Sequence, residues 1–283
     1  MAPSPNQIVE TRSGKDVAYE NFPVGSWLLP AAARPHIAVF YAFARAADDI
    51  ADNPQLPPDE KVARLNSFED VLLGRDAAKA DIPEAARMRH SLGETGVSAQ
   101  HCVDLLAAFK MDATKLRYDD WDELMGYCTL SAAPVGRFLL DLHGGSRLGY
   151  EASDALCAAL QVINHLQDCK DDYLTLDRVY LPQDWMANSG VTVEDLGGAE
   201  TNASLRGVMN RTLDATAELL LRAQALPSGL ISRRLAMESG AILTIADRLV
   251  GRLRREDPLA SRVELSKSGY LWCCALGAIK ALV

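Results

Sequence analysis

The chain has 283 residues, of which 48% are hydrophobic and 24% charged, and a net charge of −9. This composition suits one large core, or two domains at most, and excludes a disordered or collagen-like chain. The acidic balance excludes nucleic acid as the main partner, because phosphate binding needs a basic surface; an acidic protein that handles a diphosphate needs metal ions or a few placed cations.

Met1 to Lys15 is polar and lacks the apolar core of a secretory signal, and residues 1–18 are expected to be flexible. Apolar residues then recur at helical spacing almost throughout, and no stretch alternates like a strand. Pro35 marks a helix start; Ile37 to Asp52 reads as one helix, stopped by Asn53-Pro54. A second helix follows Pro58 and ends near Gly74. Short helices are expected over Glu84–Leu92 and Ala99–Lys110, the latter capped by Ser98. Trp121–His143 reads as a single long helix stopped by Gly144-Gly145, and Ala152–Leu174 as another, strongly apolar on one side. A loop, Pro182–Gly190, precedes two long helices at about Ala203–Leu226 and Leu230–Arg255. Pro258 breaks the chain before a terminal helix; the stretch Tyr270–Val283 carries Lys280, is too short to span a bilayer, and reads as a core or docking helix rather than an interfacial anchor. No repeat or linker is visible, so one all-α domain over residues 1–283 is the simplest account. The six cysteines have no zinc-ligand spacing and read as reduced core thiols, which points to the cytoplasm.

Two helices carry unusual acidic rows. In Tyr41-Ala-Phe-Ala-Arg45-Ala-Ala-Asp48-Asp49-Ile-Ala-Asp52, Asp48 and Asp52 share one face, about 6 Å apart along the axis, and Arg45 and Tyr41 continue that face. Like charges at this spacing repel, and the flanks are apolar, so a cation is needed to keep both carboxylates ionised. In the second helix Asn164, Asp168 and Asp172 fall at i, i+4 and i+8, a stripe of oxygen ligands of the kind hard cations such as Mg²⁺ take. Asp49 and Asp171 lie about 100° off these stripes and read as supporting groups. An acidic run alone is usually a solvated face; here both runs repeat carboxylates at four-residue spacing within apolar helices. No His has a Glu three residues before it, which excludes the usual di-iron pattern, and no P-loop, dinucleotide fingerprint or zincin motif occurs.

At these stripes the sequence resembles the squalene/phytoene synthase family of head-to-head prenyl synthases, over roughly Glu20 to Lys267. Arg45-Ala-Ala-Asp48-Asp49-Ile-Ala-Asp52 is similar to its first aspartate motif; Asn164, Asp168 and Asp172, followed by Arg178-Val-Tyr180-Leu-Pro182, are similar to its second. Glu20 to Pro30 and Ser131 to Arg137 resemble a bacterial subgroup of hopanoid biosynthesis. The resemblance implies an isoprenoid-synthase helical bundle around a central apolar cavity. It implies Mg²⁺ held by Asp48, Asp52, Asn164, Asp168 and Asp172, and presqualene diphosphate converted with water, and without NADPH, to hydroxysqualene. It also implies Arg45 as a catalytic group and substrate contacts at Asn21, Phe22, Tyr41, Arg45, Gln161, Gln167, Arg178, Tyr180 and Arg262. A presqualene diphosphate synthase is the implied functional partner, and the apolar product implies peripheral contact with a membrane. Phe22, Tyr41, Phe43, Leu139 and Val162 are expected to wall the cavity, and His165 to be a packed or supporting residue. Tyr127 and Tyr180 either orient ligands or satisfy backbone groups. The sequence departs from the wider family at Gln167, where others carry Arg, at Leu130, where squalene synthases carry a Tyr assigned to catalysis, and at Asn21, which replaces a Ser. Still open are another product of the same fold (presqualene diphosphate, squalene, dehydrosqualene or phytoene), a terpene cyclase, and a catalytically silent helical adaptor.

Overall fold

The computed structural model describes residues 29–75, 82–145 and 147–281. Among them the regular structure is helical, and the only β-type pairing is an isolated bridge between Arg117 and Val179. The helices, in chain order, are α1 (Arg34–Ala51), α2 (Pro58–Leu73), α3 (Pro83–Thr95), α4 (Gln100–Asp112), α5 (Trp121–Ser131) and α6 (Ala133–Leu142). They continue with α7 (Tyr150–Leu176), α8 (Gln183–Asn188), α9 (Ala203–Ala223), α10 (Leu226–Gly229), α11 (Arg233–Leu253) and α12 (Lys267–Lys280).

Proline and glycine set many of the boundaries. Pro35, Pro58 and Pro83 sit in the first turn of α1, α2 and α3, where their missing N–H costs nothing. Gly74, Gly96 and Gly144 follow helix ends with φ near +70°. Ser98 accepts from the Gln100 amide, although the capping position of α4 is Ala99.

Three expected boundaries need correction. The single helix over Trp121–His143 is broken into α5 and α6 at Ala132, whose φ/ψ of −119/−48° departs from a regular helix. Pro134 is the cause: it has no N–H for the carbonyl of Leu130, and its ring would strike that carbonyl. The expected loop Pro182–Gly190 contains α8, held by Trp185, which stacks on Trp121 at 5.5 Å between centroids and takes the Arg211 guanidinium at 4.1 Å. The helix expected to end at Leu226 stops at Ala223, and α10 intervenes before α11.

Two clusters of buried side chains form the core. One lies among α1–α4 and α6, around Phe40, Phe43, Leu65, Phe68, Met88 and Phe138. The other is centred on α7, α9 and α11. Each helix facing the gap between them is apolar on one side only. On α1 the buried side is Ile37, Phe40, Phe43, Ala47 and Ile50. Tyr41, Arg45, Asp48 and Asp52 are thereby left on the other side. On α7, burial of Ala155, Leu156, Ala159, Val162, Ile163 and Leu166 likewise turns Asn164, Asp168 and Asp172 toward the gap.

Candidate active site

Both oxygen stripes open onto one cavity of about 300 Å³. From α1 it is lined by Tyr41, Ala44, Arg45, Asp48 and Asp52, and from α7 by Gln161, Asn164, His165, Asp168 and Asp172. The remaining wall comes from α4 (Leu105, Phe109, Asp112), α5 and α6 (Tyr127, Ser131, Val135), and from Leu176, Arg178, Tyr180 and Arg262. The convergence follows from packing: neither stripe can enter the core without losing hydration, so both face the space the core leaves open.

Three arginines reach three of the carboxylates. Arg45 donates to Asp48 at 2.9 Å and to the Tyr41 hydroxyl at 3.4 Å. Arg178 donates to Asp52 at 2.6 Å and to the carbonyl of Ala51 at 3.1 Å, so it also caps the negative end of α1. Arg262 pairs with Asp168 at 2.8 Å. Each pairing offsets part of the repulsion that the four-residue carboxylate spacing creates.

Long-range contacts aim these arginines. α7 ends at Asp177, in the left-handed region at φ 52°, where Arg117 grips both its carbonyl and its carboxylate. The chain then pairs with residues 116–118: the Val179 amide donates to the Leu116 carbonyl at 2.9 Å, and Arg178 is sent under α1. The segment carrying Arg262 is fastened to α7 by Lys170, which donates to the Leu259 carbonyl at 3.1 Å, and by Gln167, which donates to the Val263 carbonyl.

That geometry corrects the expectation for Gln167. It is buried and absent from the cavity wall, and it braces the strap that presents Arg262. The physical reason is its place on α7, about 100° from Asp168, on the side packed against residues 259–263. Of the expected apolar wall, Tyr41 lines the cavity, whereas Phe43 is packed against Phe68, Val162 belongs to the α7 core and Leu139 is not on the wall. Leu105, Phe109 and Val135 take that place. Asn21 and Phe22 lie outside the described residues. Asp49 and Asp171 are off the wall, in line with their angular offset.

Behind the stripes lies a buried polar group that the sequence did not single out. Asp112 is 6% exposed and accepts from the hydroxyls of Tyr127 at 2.9 Å and Tyr180 at 3.2 Å. Burial pushes its carboxyl up to about 6, against the pull of Arg178 and Tyr127. Neither tyrosine spends its hydroxyl on the backbone. Tyr180 stacks on His165 with centroids 3.5 Å apart, so His165 is part of the cavity wall. The signal for Asp112 was available: Leu105, Phe109 and Asp112 share one helical face at the end of an apolar helix. Leu130 is not on the wall; the tyrosine that α5 contributes is Tyr127.

The squalene/phytoene synthase family model matches residues 16–269. The chain belongs to the squalene/phytoene synthase family. It is 48% identical over 256 residues to a hydroxysqualene synthase of Rhodopseudomonas palustris, covering 90% of this chain and 87% of the relative. It is also 48% identical over 248 residues to a hydroxysqualene synthase of Sinorhizobium fredii, at 87% and 84% coverage. Among solved structures, a squalene synthase of Alicyclobacillus acidocaldarius superposes with a TM-score of 0.74 at 31% identity, over 87% of this chain and 90% of that one. A dehydrosqualene synthase superposes with a TM-score of 0.77 at 20% identity, over 90% and 89%, a likeness of fold. This squalene/phytoene synthase family chain therefore has the all-α isoprenoid-synthase bundle that the resemblance implied.

Proposed function

We propose that the chain converts presqualene diphosphate and water into hydroxysqualene and diphosphate, with Mg²⁺ as its divalent ion and without NADPH. One observation carries the reading: Asp48 and Asp52 of α1 and Asn164, Asp168 and Asp172 of α7 line a single cavity whose wall turns apolar away from them. The substrate within the family is taken from the hydroxysqualene synthases that match at 41–48% identity.

The donors suit a hard divalent ion, since every ligand on the two stripes is a carboxylate or amide oxygen. Mg²⁺ keeps several waters and binds through a few carboxylates together with substrate phosphates. When bound, the ion supplies Lewis-acid stabilisation of the leaving diphosphate. Arg45, Arg178 and Arg262 stand beside the carboxylates, where they can pass to phosphate oxygens and neutralise the departing charge. Departure of a stabilised leaving group needs no protein nucleophile. Leu105 and Phe109 present apolar surface to the cation left behind and keep bulk water from it. The substrate is itself the product of a head-to-head coupling, so a presqualene diphosphate synthase is the functional partner.

Incubation with presqualene diphosphate and Mg²⁺, without NADPH, tests the reading. The expected result is a triterpene alcohol that takes its oxygen from heavy-oxygen water. Failure to consume presqualene diphosphate, together with coupling of two allylic diphosphates, would move the chain to another reaction of the same family.

We also infer peripheral contact with a membrane surface. No helix among the described residues is long and apolar enough to cross a bilayer. α12, expected as a core or docking helix, buries Cys273, Gly277 and Ala278 and exposes Leu271, Trp272 and Ile279 at 67%, 68% and 61%. This helix has lysines at both ends and no acidic residue, which suits an anionic surface. The chain should co-float with phosphatidylglycerol vesicles more than with phosphatidylcholine vesicles, and Trp272→Asp should weaken that binding by about tenfold or more. Equal flotation of the two proteins would remove α12 from the contact.

A further inference from the structure

The proposed reaction, on which this inference rests, needs one water beside a carbocation in a cavity that otherwise excludes water. If that water is not held in place, the cation loses a proton and becomes a hydrocarbon. The polar groups on the wall are mostly committed. The hydroxyls of Tyr127 and Tyr180 donate to Asp112, and that of Tyr41 accepts from Arg45.

Ser131 is different. Its Oγ is buried and has no hydrogen-bond partner, although the residue lines the cavity. A buried hydroxyl left unpaired is costly enough to be rare, and it points to a small polar ligand.

The helix register places a second polar group opposite. The rings of Tyr127 and His165 lie 6.1 Å apart. Further along, a Cβ on Gly136 would meet the side chains of Ser153 and Cys157, so α5 and α6 run antiparallel to α7. Ser131, midway between Tyr127 and Gly136, therefore faces the turn of α7 that holds Gln161. The Gln161 amide nitrogen lies 3.2 Å from the His165 ring nitrogen, and the residue lines the cavity, so its carbonyl oxygen is the acceptor it can offer there.

These two residues also sit where the wall changes character. Along α5 and α6 the lining residues run Tyr127, Ser131, Val135; along α4 they run Asp112, Phe109, Leu105. Among the lining residues, Ser131 is the last polar group along α5 and α6 before Val135, and Gln161 is the lining residue of α7 farthest from Asp172.

We propose that Ser131 and Gln161 form a water-holding subsite whose water becomes the hydroxyl of the product. Bridging the Ser131 Oγ and the Gln161 Oε1, the water keeps an oxygen lone pair for the cation. That lone pair forms the new C–O bond, and the proton released from the water passes to an oxygen of the departed diphosphate. No oxidant or reductant is required.

The test uses the full-length protein with presqualene diphosphate and Mg²⁺ in heavy-oxygen water, and compares the wild type with Ser131→Ala and Ser131→Thr. The readout is the ratio of labelled alcohol to hydrocarbon, with melting temperature as a check of folding. In Ser131→Ala the ratio should fall by about tenfold or more, the effect of losing one well-placed hydrogen bond. Ser131→Thr, which keeps the hydroxyl, should recover most of it. A merely structural serine would change total turnover or melting and leave the ratio alone. A folded Ser131→Ala variant that consumes substrate with a wild-type ratio overturns the subsite and leaves the proposed reaction standing. A wild type that forms no alcohol overturns both. A crystal of the substrate-free protein gives a second readout: an ordered water within hydrogen-bonding distance of both side chains is expected in the wild type, and its absence there would count against the subsite.

Discussion

Asp48→Asn and Asp168→Asn are each expected to lower turnover by about a hundredfold or more while the protein stays folded. Each substitution keeps the shape of the side chain and removes a formal charge from one oxygen stripe. The charge matters because the proposed leaving group is a metal diphosphate, whose binding and departure depend on electrostatic stabilisation inside a cavity. Stability should change little, because Asp48 and Asp168 are 32% and 18% exposed and each meets an arginine at the cavity edge; such pairs contribute about 1 kcal/mol or less. Asp49→Asn is the internal control. It removes the same charge from the neighbouring position, outside the cavity wall, and should retain most of the activity. Steady-state rates with presqualene diphosphate and thermal melts of the three variants decide the matter. Near-normal rates in both Asp48→Asn and Asp168→Asn would detach the stripes from the chemistry.

Gly277→Ala is expected to be the most damaging single-methyl change in the described fold. α11 and α12 meet backbone to backbone at Gly240 and Gly277. A Cβ on Gly277 would come within 2.5 Å of the Gly240 carbonyl carbon and 2.6 Å of the Ala241 Cα. Backbone atoms of a buried helix cannot give way as a flexible side chain can, so the helices must separate and open a void along their contact. A loss of about 3 kcal/mol is expected, well above the fraction of 1 kcal/mol that Ala gains over Gly through the unfolded chain. Gly207→Ala in α9 is the counterpart. A Cβ there meets nothing within 4 Å, so the substitution should stabilise by about 0.5–1 kcal/mol. Denaturant melts of both variants test the pair, and equal stability of Gly277→Ala and wild type would mean that the two helices lie farther apart than described.

The helices and the two oxygen-bearing rows were legible because both are local properties. A period of 3.6 residues and carboxylates four apart put Asp48 with Asp52, and Asn164 with Asp168 and Asp172, on common faces whatever the rest of the chain does. Arg45 and Tyr41 followed by the same rule. The break at Ala132 was equally local, and Pro134 was its visible cause. Gln167 could not be assigned by such reasoning. It adjoins Asp168 in sequence, yet its direction depends on residues 259–263, nearly a hundred positions later, and their docking turns it away from the cavity wall and into a brace.

By itself, then, the amino-acid order determined that the chain is helical and which oxygen-bearing side chains share a helix face, since hydrogen bonding and side-chain spacing within a turn need no distant partner. Only the tertiary structure decided that the two rows confront each other across one cavity, that Asp112 collects two tyrosine hydroxyls behind them, and that the Ser131 hydroxyl on the same wall is left buried without a hydrogen-bond partner. These facts depend on which faces of separate helices meet. That choice is made by burying apolar surface contributed from the whole chain, and no short stretch of sequence contains it.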